Sequence, residues 1–175
     1  MLQVRKEIQR LISTYGGKSP MSLTITGHSL GAALAVLTAY DITATIKDAP
    51  MVTVVSFGGP RVGNSSFRRR LEEQGSKVLR IVNTSDIITK VPGFVVDQEI
   101  EKDDRDASIP SWLLSKTGWA YADIGQELRV SSQRTANVAA CHDLNVYLNL
   151  VNQLSATCPF RAKVKESFRW PFAAQ

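Results

Sequence analysis

The residues best placed to do chemistry are Gly27-His28-Ser29-Leu30-Gly31, which have the pattern G-x-S-x-G. A short β-branched run, Met21 to Thr26, precedes them, and an Ala- and Leu-rich stretch follows. At a sharp strand-to-helix turn a serine is pushed out of the sheet on a strained backbone. Glycines on either side leave room for close helix–strand packing. The helix start then sets backbone N–H groups and a positive dipole end beside the serine, where a tetrahedral oxyanion would develop. The Leu30 N–H is the natural first oxyanion donor. The chemistry read here is nucleophilic acyl transfer, set against the plainer reading of a structural glycine-rich turn.

A serine hydroxyl needs a base. The chain has two imidazoles, His28 and His142. His28 adjoins Ser29, and at such a turn its side chain points away from the serine's, so it reads as a packing or supporting residue. By elimination the base is His142, at the start of a helix after a loop. The third member orients the imidazole and stabilises the imidazolium. Asp86 is the best candidate, because it directly follows the run Val78 to Val82 and so lies at a C-terminal strand edge, where α/β sites form. Asp97, Asp123 and Asp143 are its rivals, and a turn-initiating aspartate is the plainer reading of Asp86. The order Ser29, Asp86, His142 is that of the α/β-hydrolases.

The elements that must position these residues alternate along the chain. Val4, Ile8, Leu11 and Ile12 recur at helical spacing until Gly16-Gly17. Met21 to Thr26 reads as a strand and Leu30 to Ile46 as a helix. Met51 to Phe57 is a near-continuous β run, of the kind buried on both faces of a parallel sheet. Asn64 to Gln74 reads as a helix capped by Asn64, and Lys77 to Asn83 as a third strand. Val95, Val96 and Ile100 suggest a further short strand, and Leu128 to Ser131 a last one. His142 to Leu154 closes the chain as a helix, with Leu144, Leu148 and Val151 on one face. The expected fold is α/β, a mainly parallel sheet with flanking helices.

Composition narrows the classes. At 175 residues and 19.2 kDa the chain fits one domain. It is 43% hydrophobic and 21% charged, with a formal net charge of +5, which argues against whole-chain disorder. No stretch reaches the ~18 apolar residues of a membrane span. Two Cys, Cys141 and Cys158, exclude a disulfide scaffold and a four-cysteine zinc site, and both read as reduced thiols. No metal-ligand grouping or phosphate loop is visible, so no cofactor is expected. Arg68-Arg69-Arg70 and the basic tail from Arg161 to Arg169 read as solvated faces, with peripheral contact to an anionic lipid surface as the other reading. Nucleic-acid binding is not expected, since basic and aromatic residues are not interleaved. Trp112, Leu113, Leu114, Trp119 and Tyr121 read as a packed cluster, or else as the lining of an acyl groove.

Taken together, four ordered segments resemble the class 3 (fungal-type) lipases. They are Thr24-Ile-Thr-Gly-His-Ser-Leu-Gly-Ala-Ala-Leu-Ala, Val55-Ser-Phe-Gly-Gly-Pro-Arg-Val-Gly-Asn, Arg80-Ile-Val-Asn-Thr-Ser-Asp-Ile-Ile-Thr-Lys-Val-Pro-Gly and His142-Asp-Leu-Asn-Val-Tyr-Leu-Asn-Leu-Val. Trp119 to Val130 fits the strand before the histidine. The chain is most similar to the plant branch, the plastid phospholipase A1-type acylhydrolases. The resemblance implies an α/β-hydrolase fold and hydrolysis of acyl esters in phospholipids, galactolipids or acylglycerols, favouring the sn-1 position. It implies Ser29 as nucleophile, Asp86 as acid and His142 as base, and a plastid location, or a cytoplasmic one if no transit peptide precedes the chain.

Residues 1–165 are read as the C-terminal portion of that domain, and 166–175 as a divergent tail for which disorder is one reading. Family members carry a long region before the nucleophile strand, with the lid and the second oxyanion donor. Here 20 residues precede the strand, and neither feature is located. Loss of one oxyanion donor costs roughly 2.7–4 kcal/mol of transition-state stabilisation. The strand Met21 to Thr26 is expected to be a bare edge. The chain is accordingly read as a truncated product of a lipase gene. The second functional reading is an inactive fragment that binds lipid or a full-length homologue.

Overall fold

Four strands, the second a near-continuous β-branched run, form one parallel sheet. The structure is a computed structural model in which residues 1–16, 20–92, 121–132 and 138–157 are described. The strands are β1 (Ser22–His28), β2 (Met51–Phe57), β3 (Lys77–Asn83) and β4 (Gln126–Val130), in spatial order β1-β2-β3-β4. In register, Ser29 follows the β1 residue opposite Phe57, and Phe57 lies opposite Ile81. Asn83 lies opposite Val130. The C-terminal ends of all four strands therefore share one edge of the sheet.

The helices are α1 (Leu2–Tyr15), α2 (Leu30–Thr45), α3 (Ser65–Glu73), α4 (Val138–His142) and α5 (Leu144–Thr157), with a short 3-10 turn at Ile88–Lys90. The sheet's side chains alternate between two cores, as the period of a strand requires. On one side Val52, Val54 and Val78 meet Ile8 of α1, Ala35, Val36, Ala39 and Ile42 of α2 and Leu71 of α3. On the other, Ile81 and Val130 meet Tyr147 of α5, with Val55, Phe57, Leu79, Leu150 and Val151 around them. Alanines at Ala32, Ala35 and Ala39 let α2 lie close on the strands. Arg5 forks onto the Asp41 carboxylate and ties α1 to α2, with Nε to Oδ2 at 2.6 Å.

The elements fall close to where the sequence puts them. Asn64 does cap α3, its side chain accepting from the Phe67 N–H at 3.0 Å. Two expectations need correction. The closing helix is not continuous from His142. His142 ends the short α4, and Asp143 starts α5 by accepting from the Asn145 N–H at 2.7 Å. The face proposed for that helix is also displaced, because Leu144 and Leu148 are exposed while Tyr147 is fully buried. Among the described strands β1 pairs only with β2. The suggested strand at Val95, Val96 and Ile100, the aromatic cluster at Trp112 to Trp119, Cys158 and the tail 166–175 lie outside the described residues, and so does the basic run Arg161 to Arg169.

Candidate active site

Ser29 sits at the junction of β1 and α2 with φ 56° and ψ −126°. This left-handed backbone is costly for a non-glycine residue, on the order of 1–3 kcal/mol. It is held because the Ser29 N–H donates to the Phe57 carbonyl at 3.0 Å while its own carbonyl accepts from Ala32 at 3.0 Å. Gly27 is required sterically, since a Cβ there would stand 2.2 Å from the Gly31 carbonyl oxygen. The same expectation fails for Gly31, where a Cβ would meet nothing within 4 Å. The N–H groups of Leu30 and Gly31 open the first turn of α2, where no intrahelical carbonyl can reach them. They leave a positive dipole end beside the serine.

The three residues singled out from the sequence converge. Ser29 Oγ lies 2.8 Å from His142 Nε2, and His142 Nδ1 lies 2.7 Å from Asp86 Oδ2. A carboxylate only accepts, so Nδ1 carries the proton and Nε2 is left to accept from the serine hydroxyl. Asp86 is fully buried. Its charge is met by three donors: the Ile88 N–H to Oδ1 at 2.9 Å, and the Tyr147 hydroxyl and His142 Nδ1–H to Oδ2. A buried carboxylate stays ionised only when so satisfied. The Ile88 contact is also an Asx turn, which is the plainer reading of Asp86.

The rival acids stand elsewhere. Asp123 pairs with Arg61 at 3.1 Å and Arg80 at 3.3 Å. Asp143 caps α5, and Asp97 lies outside the described residues. His28 supports His142: its Nε2 is 2.7 Å from the His142 carbonyl oxygen, and the two rings are 4.7 Å apart. A carbonyl only accepts, so His28 Nε2 donates.

Two residues escaped the reading of the sequence. Tyr147 donates its hydroxyl to Asp86 Oδ2 at 2.6 Å and accepts from the Asn83 N–H at 3.1 Å. Burial, then the bond to Asp86, hold its phenol well above the ordinary value, so it remains a donor. The signal was the i, i+3, i+4 set Tyr147, Leu150, Val151. Asn83, fully buried at the end of β3, donates to the Cys141 carbonyl and to Ser132 Oγ, both at 3.0 Å, and accepts from the Ser132 N–H at 3.2 Å. It thereby ties the segment before His142 to β3 and the residues after β4. A polar residue ending an apolar strand was its only mark. Among the described residues, no group of three His, Cys, Asp or Glu could hold a metal ion, and no helix is long and apolar enough to cross a membrane. Arg68 and Arg69 pair along α3 with Glu72 and Glu73 at 2.9 and 3.7 Å, as a solvated face would.

Comparison with known proteins gives the geometry its context. A family model described as Lipase (class 3) matches residues 1–96. A chloroplastic phospholipase A(1) of Arabidopsis thaliana is 58% identical over 169 residues, spanning 90% of this chain and 38% of its own length. A chloroplastic/mitochondrial phospholipase A1 of Oryza sativa subsp. indica is 39% identical over 151 residues, spanning 85% of this chain and 33% of its own length. The chloroplastic galactolipase DONGLE of Arabidopsis thaliana is 41% identical over 158 residues, spanning 86% of this chain and 32% of its own length. This chain thus covers 38% or less of each of these relatives. In fold it is similar to the triacylglyceride lipase of Rhizomucor miehei, with a TM-score of 0.53 at 21% identity, over 73% of this chain and 39% of that one. The fold is that of an α/β-hydrolase.

Proposed function

The chain belongs to the class 3 lipase family, and from that premise we propose that it is a serine acylhydrolase acting on the acyl esters of glycerolipids. The observation that carries this reading is the unbroken relay from Ser29 Oγ through His142 to the buried Asp86, at 2.8 and 2.7 Å. In the proposed reaction Ser29 Oγ attacks the ester carbonyl as His142 Nε2 takes its proton. The carbonyl π pair moves onto oxygen, and the Leu30 N–H at the start of α2 stabilises that oxyanion. Collapse breaks the bond to the alcohol, which leaves with the proton from His142 and gives an acyl-enzyme on Ser29. Water, deprotonated by the same imidazole, attacks the acyl carbon and releases the fatty acid as Ser29 regains its proton. Asp86 stays ionised throughout and stabilises the imidazolium.

Similarity to phospholipase A1 and galactolipase relatives supports a phospholipid or galactolipid substrate, with the sn-1 ester preferred. The chloroplastic designation of those relatives supports a plastid location. The test is incubation of the whole chain with detergent-dispersed phosphatidylcholine and, separately, monogalactosyldiacylglycerol, each labelled in one acyl chain. Release of the sn-1 fatty acid, abolished in Ser29→Ala, is the expected result. Release that survives Ser29→Ala, or none from either lipid, would overturn it.

A further inference from the structure

Tyr147 is a buried polar group that the proposed reaction does not use. Its ring lies in the core between β3, β4 and α5, and its oxygen has both roles filled, accepting from the Asn83 N–H and donating to Asp86. The donation reaches Oδ2, the same oxygen that receives the His142 Nδ1–H, while Oδ1 is tied to the Ile88 N–H. Gly58, with φ +56°, leaves the space this needs: a Cβ there would stand 3.1 Å from both Asp86 Oδ2 and the Tyr147 ring. A phenol hydroxyl competing for one carboxylate oxygen has two effects. It fixes the torsion of the carboxylate, and it draws electron density away from the bond to the imidazole.

We propose that Tyr147 is a positioning residue for the acid: its hydroxyl sets the orientation of Asp86 toward His142 and moderates how strongly Asp86 holds the Nδ1 proton. The inference rests on the acylhydrolase reading for its effect on rate, but not for its effect on the His142–Asp86 bond. Among the described residues, the titratable groups near the His142 ring are Asp86 after β3, His28 at the end of β1, Tyr147 on α5, which reaches it through Asp86 Oδ2, and the chain neighbours Cys141 and Asp143. Tyr147→Phe keeps the ring and changes one of them.

The experiment uses the whole chain and two readouts. The first is the rate at which a fluorophosphonate labels Ser29, followed against pH. The second is the downfield proton resonance of His142 Nδ1–H, which needs no turnover. Tyr147→Phe should slow labelling by roughly ten- to a hundredfold, the worth of one bond to a charged group. It should move the acidic limb of the pH profile to higher pH and the resonance further downfield. 3-Fluorotyrosine at position 147, a stronger donor that preserves the packing, should move the resonance the opposite way. In an Asp86→Asn background, Tyr147→Phe should add no further loss of labelling. Equal losses in both backgrounds, or a resonance unmoved by both replacements, would overturn the proposal. If the unaltered chain does not label, the acylhydrolase reading fails, and the resonance alone then decides the role of Tyr147.

Discussion

His28 Nε2 donates to the backbone carbonyl of His142 across 2.7 Å, so the residue before Ser29 holds the main chain of His142. The contact fixes where His142 stands relative to Ser29 without touching either reacting atom. Replacing His28 by Phe keeps a ring beside His142 but removes the donor. Labelling of Ser29 should slow by roughly three- to tenfold, as expected for one neutral hydrogen bond. A rate equal to that of the unaltered chain would show that the backbone of His142 is fixed by other contacts.

Gly58 has φ +56° and faces both Asp86 and Tyr147. Gly58→Ala combines a left-handed backbone, which costs an alanine about 1 kcal/mol or more, with a contact that forces the acid or the tyrosine to move. Thermal melting should fall by several degrees, and labelling of Ser29 should fall more than Gly75→Ala makes it fall. Gly75 is a fair control, since it shares a positive φ of +77° but has open space at its Cβ.

Asn83 joins β3 to Ser132 and to the Cys141 carbonyl through a side chain with no exposed surface. Asn83→Leu fills a similar volume but removes the side-chain bonds to Ser132 and to the Cys141 carbonyl. Each of the three bonds lost contributes about 0.5–1.5 kcal/mol. Chemical denaturation should therefore show a loss of about 2–4 kcal/mol by the same principle, with the midpoint lowered and the slope unchanged. A stability within experimental error of the unaltered chain would refute this account of the site's base.

The Arg5 hydrogen bond, opposed by some desolvation and helped by the charge, holds the Asp41 carboxyl below its ordinary value. A depressed carboxylate contributes stability that is whole above the unfolded value of about 3.9 and fades as pH falls through the lower folded value. Asp41→Asn should thus lower the melting temperature at pH 7 and make little difference once Asp41 is protonated in both states. A melting difference that persists undiminished into strong acid would contradict the assignment.

The parts of this molecule legible in the sequence are those set by local rules. β2 declares itself by an unbroken β-branched run, and Asn64 by its cap position. Ser29 is betrayed by glycines at a strand–helix junction, and Asp86 by its place just after β3. What stayed hidden depends on long-range contacts. Tyr147 lies in sequence between Leu144 and Leu148, and nothing local says that it faces inward while they do not. At Asp143 a continuous apolar periodicity masks the Asx cap that breaks the helix. The sequence offers Gly31 a packing role by symmetry with Gly27, yet of the two only Gly27 lies against a backbone that excludes a side chain.

The central claim is that Ser29 is an activated nucleophile whose base is His142. The direct measurement is reaction of the purified 175-residue chain with a fluorophosphonate, with the adduct mapped by mass spectrometry beside His142→Ala. A single adduct on Ser29 that disappears in His142→Ala is the predicted result. A folded chain that takes no adduct, or one that labels equally well without His142, would contradict it.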